Sequence, residues 1–293
     1  MLSILIPVFN CDVRKLVAEL HRQSEQAKIQ YEILLADDGS EKKIKEQNRE
    51  LTQFSNVILN ELPKNIGRSK IRNLLAEKAS YDFLIFMDCD AAVPSEDYIK
   101  NYLSFARGEI LVCGGRIYEP DQPEDPDFSL AWKYGKCREA AKAEVRNRNP
   151  NRSFLTNNFF ISKSIFSTIR FDEQLKGYGH EDTLFGYELK KAGIRINHID
   201  NPLIHVGLEK NEEFLNKTKT GIRNLKYIAE SYNLPDLFKE VKLWRTYKQI
   251  GILKYFVGFL LDLFNSLIKA QLTSKNPSLF LFDLYKLGYL SRL

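Results

Sequence analysis

The chain has 293 residues, 44% hydrophobic and 28% charged, with neither internal repeats nor low-complexity tracts, which is ordinary for a globular protein. That length accommodates one large domain plus an extension. Its four cysteines, Cys11, Cys89, Cys113 and Cys137, show no Cys-x-x-Cys spacing. No signal peptide precedes the first strand-like run, so a reducing, cytoplasmic setting is expected and a disulfide scaffold is not. The formal net charge is +5, but residues 210–293 carry 14 Lys and Arg against 7 Asp and Glu, or +7, which leaves −2 for residues 1–209. A basic tail behind an acidic half points to an anionic surface such as a bilayer, or to a solvated helical face, and no nucleic-acid partner is expected.

The chain opens with Leu2-Ser3-Ile4-Leu5-Ile6-Pro7-Val8, a buried strand broken at Pro7. Val13, Leu16, Val17 and Leu20 then recur at helical spacing. Tyr31 to Ala36 reads as a second strand running into Asp37-Asp38-Gly39-Ser40, with a helix from about Glu41. Val57 to Asn60 is a short third strand. After it, Lys64-Asn65-Ile66-Gly67-Arg68 turns into a helix carrying Ile71, Leu74, Leu75 and Ala79, whose donor-rich first turn favours an anion or forms an ordinary Asn-x-Gly loop. The fourth strand is the apolar run Phe83 to Met87, which ends in Asp88-Cys89-Asp90. Acids at a strand's carboxyl end sit where open α/β sheets bind ligands, and two carboxylates one residue apart suit a divalent cation or, more blandly, a solvated turn. This β-α alternation predicts a parallel, doubly wound sheet.

A helix over about Ser95 to Ala106 and a strand over Glu109 to Cys113 follow, closed by Gly114-Gly115. Three prolines and five acids between Glu119 and Asp127 predict an exposed loop, and Ser129 to about Val145 a basic helix, with Lys133, Lys136, Arg138, Lys142, Arg146, Arg148 and Arg152 there and just beyond forming a solvated face or meeting an acidic acceptor or phosphate. Ser153 to Ile161 reads as a strand whose Asn157 and Asn158 need hydrogen-bond partners. Gly177-Tyr178-Gly179-His180-Glu181-Asp182 then delivers two acids to the start of a helix that runs through Ala192. The last strand-like pieces are Ile194 to Ile199 and Leu203 to Val206, the second containing His205, a core residue or a ligand.

Taken in order, Asp-Asp-Gly-Ser, Asn-x-Gly-Arg, Met-Asp-Cys-Asp, Gly-Tyr-Gly-His-Glu-Asp and a later histidine make the chain resemble the inverting family 2 glycosyltransferases of the GT-A fold, over about residues 1–210. The form of the last motif is similar to that of galactosyl- and N-acetylhexosaminyl-transferases, with Tyr178 in place of the usual tryptophan. The resemblance implies a GT-A domain over 1–209, Rossmann-like and mostly parallel with helices on both faces. Its nucleotide-sugar half would span about 1–115 and its acceptor half about 116–209. Pro7 and Phe9 match the wall of the uridine site, and Asp38, with Asp37 beside it, matches the acceptor of the uracil N–H. Asn65, Gly67 and Arg68 match the segment that steadies base and phosphates, and Asp88 the residue on ribose and donor sugar. Asp90 and His205 match the ligands of a Mn2+ or Mg2+ ion. Asp182 matches the general base, Glu181 orients sugar hydroxyls, and Asn158, Tyr178 and Gly179 fall on the acceptor side. The implied activity is metal-dependent, inverting transfer of a hexose or N-acetylhexosamine from a UDP-sugar to a glycan or lipid-linked acceptor in polysaccharide biosynthesis of the cell envelope. A non-catalytic nucleotide-sugar-binding assembly subunit is the alternative, and a sugar-1-phosphate nucleotidylyltransferase lacks its glycine-rich loop here.

Residues 210–293 read as a basic, apolar helical extension with helices over 214–232, 236–247, 250–270 and 277–290. In the third, Lys254, Gly258, Asp262, Asn265 and Lys269 share one narrow stripe and nearly all else is apolar. Internal charges argue against a spanning helix. The expectation is peripheral membrane contact through 250–290 on the inner face of the cell membrane, with packing on the last helix or in a homodimer as the alternatives.

Overall fold

The computed structural model describes residues 1–175, 177–232, 234, 236 and 241–293. The chain divides into two compact units, the first made of 1–118, 140–174 and 181–207, the second of 119–139, 175–180 and 208–293. The expected continuous domain over 1–209 is thus interrupted twice, because 119–139 and 175–180 pack with the tail.

The first unit is built on a seven-stranded sheet in the order β3-β2-β1-β4-β8-β6-β9. These strands are β1 Leu2–Val8, β2 Tyr31–Asp37, β3 Val57–Glu61, β4 Phe83–Met87, β6 Leu111–Cys113, β8 Asn158–Ser162 and β9 Asn197–His198. β1 to β4 are mutually parallel, β8 runs antiparallel between β4 and β6, and β9 is parallel to β6. Side chains alternate across a strand, so Leu2, Ile4, Ile6 and Val8 of β1 enter one core with Leu16, Val17 and Leu20 of helix Arg14–Gln26. Leu5 enters the opposite core with Ile71 and Leu75 of helix Arg68–Lys78. Both faces of the sheet are therefore covered, as the near-continuous apolar strands require. Each fully buried Leu or Ile contributes roughly 1.5–3 kcal/mol. A small second sheet, β5-β10-β7, joins β5 Ala91–Ala92, β7 Arg116–Ile117 and β10 Leu203–His205.

Three sequence expectations change here. β1 continues past Pro7 to Val8, pairing with β2 along its whole length, while its pairing with β4 stops at Leu5. The strand expected from Ser153 starts at Asn158, because Ser153 and Phe154 close backbone turns onto Asn149 and Asn151. The basic helix expected over 129–145 ends its regular part at Tyr134, and Ala143–Arg146 is a separate turn of the first unit. There Arg146 is buried against the carbonyls of Gly114 and Ile199, not on a solvated face.

In the second unit, helices Asn211–Ser231, Lys242–Gln249, Leu253–Leu263, Asn265–Leu272 and Leu279–Arg292 surround a core that includes Leu215, Trp244, Leu261, Leu272 and Phe282. The helix expected over 250–270 is interrupted at Phe264, whose backbone (φ −105°, ψ 12°) ends one segment and starts the next. Much of the start expected for the helix at 236–247 lies outside the described residues. Ser278 caps the last helix, its Oγ accepting from the Leu281 amide at 3.3 Å.

Candidate functional site

Strand order reverses direction of growth between β1 and β4, since β2 and β3 lie on one side of β1 and everything later in the sheet lies on the other. A doubly wound sheet opens a crevice at the carboxyl ends of such strands. The loops leaving β1, β2 and β3 are tied together there. The Asn10 amide donates to Ser40 Oγ at 2.8 Å and Asn10 Oδ1 accepts from the Glu41 amide at 2.8 Å. Asp38 accepts from the amides of Ile66 (2.6 Å) and Gly67 (3.2 Å), so it fixes the segment carrying Asn65, Gly67 and Arg68. Burial pushes the Asp38 carboxyl up, against the two amides that favour its charged form. Gly39 permits this closeness, for a Cβ there would lie 2.8 Å from the backbone of Lys64 and Asn65. Asp37 is fully buried and closes its own turn, accepting from Gly39 and Ser40, which makes it a structural partner of Asp38. Phe9 is half exposed beside this loop cluster, with Pro7 partly buried behind it.

Beyond β4, Asp88 is gripped from two sides. Arg72 Nη2 donates to Oδ1 at 2.8 Å and Arg116 Nη2 to Oδ2 at 3.2 Å. Burial raises the Asp88 carboxyl, but the guanidiniums of Arg72, Arg116 and Arg68 outweigh it and hold the group below the ordinary carboxylate value. Arg72 is itself 2% exposed and also reaches Glu181 Oε1, 3.8 Å from Nη1, while Arg68 Nη1 approaches the same oxygen at 3.7 Å. Through Arg72 the end of β4 meets the start of helix Glu181–Lys191. Glu181, expected to orient sugar hydroxyls, is buried between two guanidiniums, and that environment suits an ion-pair partner rather than a sugar contact. Asp182 stands in the first turn of the same helix, partly exposed, with Oδ1 accepting from the Thr183 amide at 2.7 Å.

Asp90 and His205 come together because β5 pairs antiparallel with β10, setting His205 opposite Ala91. His205 Nδ1 lies 3.6 Å from Asp90 Oδ1. That oxygen is buried and accepts no hydrogen bond, an arrangement that costs free energy unless a cation or donor joins it. Gly207 presses on the same carboxylate, since a Cβ there would lie 2.5 Å from Asp90 Cβ and 2.9 Å from Oδ2. Among the described residues no group of three or more His, Cys, Asp and Glu is arranged to hold an ion. An oxygen and an imidazole nitrogen facing each other do suit Mn2+, as two ligands of a shell completed from elsewhere.

The remaining predicted residues fall into other settings. Asn158 is saturated inside the first unit: Oδ1 accepts from Tyr98 (2.8 Å) and Tyr102 (2.6 Å), and Nδ2 donates to the carbonyls of Gly115 (2.8 Å) and Asn201 (2.9 Å). It has no capacity left for an acceptor, which corrects its acceptor-side assignment to that of a core node. Tyr178 and Gly179 belong to the second unit, where their carbonyls accept from Asn224 Nδ2 and Gly179 abuts Gly221, 2.9 Å from a Cβ built on it. Gly177 and Gly179 take positive φ, 76° and 97°, and His180 takes 69°. Sequence reasoning passed over Arg72 and Arg116. The available signal for Arg72 was its place four residues after Arg68, hence on the same side of the helix.

Residues 3–170, which take in β2 to β8 and all of β1 but Leu2, match the sequence profile of glycosyl transferase family 2. A chondroitin synthase of Escherichia coli is 25% identical over 237 residues, covering 70% of this chain and 34% of that protein. The chain spans about a third or less of the length of the chondroitin and hyaluronan synthases it matches. An uncharacterized glycosyltransferase of Haemophilus influenzae is 24% identical over 277 residues, covering 92% of this chain and 98% of that one. Solved structures share the fold, among them the following two. The mannosyltransferase PcManGT of Pyrobaculum calidifontis, in complex with GDP-Man and Mn2+, superposes with a TM-score of 0.58 at 13% identity, covering 85% of this chain and 70% of that one. Residues 1–349 of S. aureus TarS, in complex with UDP, give 0.52 at 15% identity and cover 99% and 89%. Because the profile match takes in more than half of its residues, the chain belongs to glycosyl transferase family 2, as a glycosyltransferase of GT-A fold.

Proposed function

We propose that this protein is a metal-dependent, inverting glycosyltransferase that moves a hexose or N-acetylhexosamine from a UDP-sugar to a hydroxyl of a glycan or lipid-linked acceptor at the inner face of the cell membrane. The observation that carries the reading is the buried, unbonded Asp90 Oδ1 facing His205 Nδ1 at 3.6 Å, two residues beyond an Asp88 fixed by two arginines. Asp90 and His205 would hold Mn2+ or Mg2+, and the ion when bound offsets negative charge on the departing diphosphate. Neighbouring folds in complex with GDP-Man and Mn2+ or with UDP, and a relative that is a chondroitin synthase, support a nucleotide-sugar donor and a glycan product.

In this reading Phe9 and Pro7 flank the base, and Asp38 offers its remaining lone pairs to the uracil N–H while keeping Asn65, Gly67 and Arg68 in place. Asp88, oriented by Arg72 and Arg116, meets the ribose and donor sugar. Asp182 takes the proton of the acceptor hydroxyl as its oxygen attacks the anomeric carbon. The new C–O bond forms opposite the breaking one, whose electron pair leaves with UDP, so an α-linked donor gives a β-glycoside.

The test is UDP release from a panel of UDP-sugars, with and without Mn2+. Release is expected to need the ion and to be abolished by Asp182→Asn while UDP binding survives. Turnover that persists in Asp182→Asn removes that residue from the base role, and turnover indifferent to chelator removes the metal.

A further inference from the structure

In the second unit, Gly258 and Leu261 of helix Leu253–Leu263 are buried, and both meet helix Leu279–Arg292: a Cβ on Gly258 would lie 3.2 Å from Arg292 Cγ, and one on Gly288 would lie 2.7 Å from Leu261 Cβ. Asp262, the acid of the polar stripe, pairs with Arg292 of that same helix. The Gly258 and Leu261 side of the helix is thus turned toward the last helix, and much of its apolar remainder faces out. Ile252 (81% exposed), Phe256 (59%), Phe259 (61%) and Leu263 (62%) recur at spacings of four, three and four residues along one outward stripe, and Leu267 (69%) of the next helix is exposed as well. Large side chains in such a contiguous row mark an interaction surface.

Charge selects the occupant. Between Val241 and Lys275 there are six cations, Lys242, Arg245, Lys248, Lys254, Lys269 and Lys275, and a single acid, the neutralised Asp262. A second copy docked face to face would set these cations against their own images, whereas an anionic surface complements them. Lys254 extends over the rings of Tyr247 (4.9 Å) and the exposed Tyr255 (5.3 Å), a combination of aromatic body and cationic tip that suits the headgroup layer. Among the described residues no helix is long and apolar enough to cross a membrane, so these segments would lie in its plane.

We propose that the outward side of residues 252–267 docks on an anionic lipid bilayer, with Ile252, Phe256, Phe259, Leu263 and Leu267 entering the acyl boundary and the lysines meeting headgroup phosphates. The surface is independent of the catalytic reading. The test is sedimentation of the full chain with vesicles of phosphatidylcholine and phosphatidylglycerol, beside vesicles of phosphatidylcholine alone, at low and high salt. Expected are preferential binding to the anionic vesicles, weakening with salt, and at least about a tenfold lower partition for the Phe256→Ser, Phe259→Ser, Leu263→Ser variant. All three sites are exposed, so unchanged circular dichroism and melting are expected to show the variant folded. A full chain that stays in the supernatant, or a folded variant that sediments equally, overturns the proposal. So does a dimer that the variant dissolves with no vesicle binding in either form, which would assign the stripe to a second copy.

Discussion

Arg72 occupies a position that a helix rarely gives a cation, 2% exposed between Ile71 and Leu75 on the inner side of Arg68–Lys78. Two carboxylates from distant parts of the chain, Asp88 and Glu181, make its burial tolerable. Removing one member of a buried ion-pair cluster leaves an uncompensated charge, so Arg72→Gln should lower stability by about 3–5 kcal/mol. Arg72→Lys should recover part of that loss but not the turnover, because one ammonium cannot span both carboxylates. Urea unfolding and UDP release of the two variants check this, and an unchanged unfolding midpoint in Arg72→Gln would remove the clamp from the account. His198 gives a pH prediction at the same scale. Arg146 Nη1 faces its Nδ1 at 2.8 Å and can only donate, while Nε2 faces the Pro150 carbonyl at 2.9 Å, so the ring is neutral with its proton on Nε2. Burial, aided by Arg146 and opposed by that carbonyl, pushes its pKa down to about 4. Below pH 6.5 the unfolded chain takes up a proton that the folded chain refuses until about pH 4, so stability falls over that window by about 3 kcal/mol. The loss in urea midpoint between pH 7 and pH 4.5 should be smaller in His198→Gln, and an equal loss in both would place the titration elsewhere.

At the scale of elements, β5 is too short to be read from periodicity, yet its pairing with β10, the strand read over Leu203 to Val206, is what brings Asp90 to His205. Their register is held by a close approach rather than by length. Val206 donates its amide to the Asp90 carbonyl at 2.9 Å and Gly207 leaves no room for a Cβ beside the Asp90 side chain. Gly207→Ala must therefore displace that carboxylate, and the Mn2+ concentration for half-maximal UDP release should rise at least about tenfold with the melting temperature little changed. An unaltered Mn2+ requirement would show that the carboxylate does not depend on this contact. The strand-end acids, by contrast, were legible, because an apolar run stopping at Asp88 or Asp37 has few structural explanations. Asn158 was legible only as a residue needing partners. Its two tyrosines lie in helix Tyr98–Leu103, and nothing in the local pattern names them.

For the whole molecule, the order of elements along the chain was sufficient to specify a mostly parallel sheet covered on both faces, since buried strands alternating with amphipathic helices have few other ways to pack. The same order does not reveal that 119–139 and 175–180 pack with the tail, or that Tyr178 and Gly179 rest on the helix of residues 211–231 while Glu181 and Asp182 belong to the sheet unit. Nor does it tell which side of helix Leu253–Leu263 faces out. The period of 3.6 displays a polar stripe and an apolar remainder, but only the packing of Gly258 and Leu261 on the last helix decides which apolar row is left uncovered. What the sequence by itself determined was local: strands, helix phases, and acids at strand ends, all set by neighbours a few residues away. The partners of Asp88, Arg72 and Asn158 were decided by the tertiary structure alone, because charge pairing and burial depend on distance through space, which chain separation does not encode.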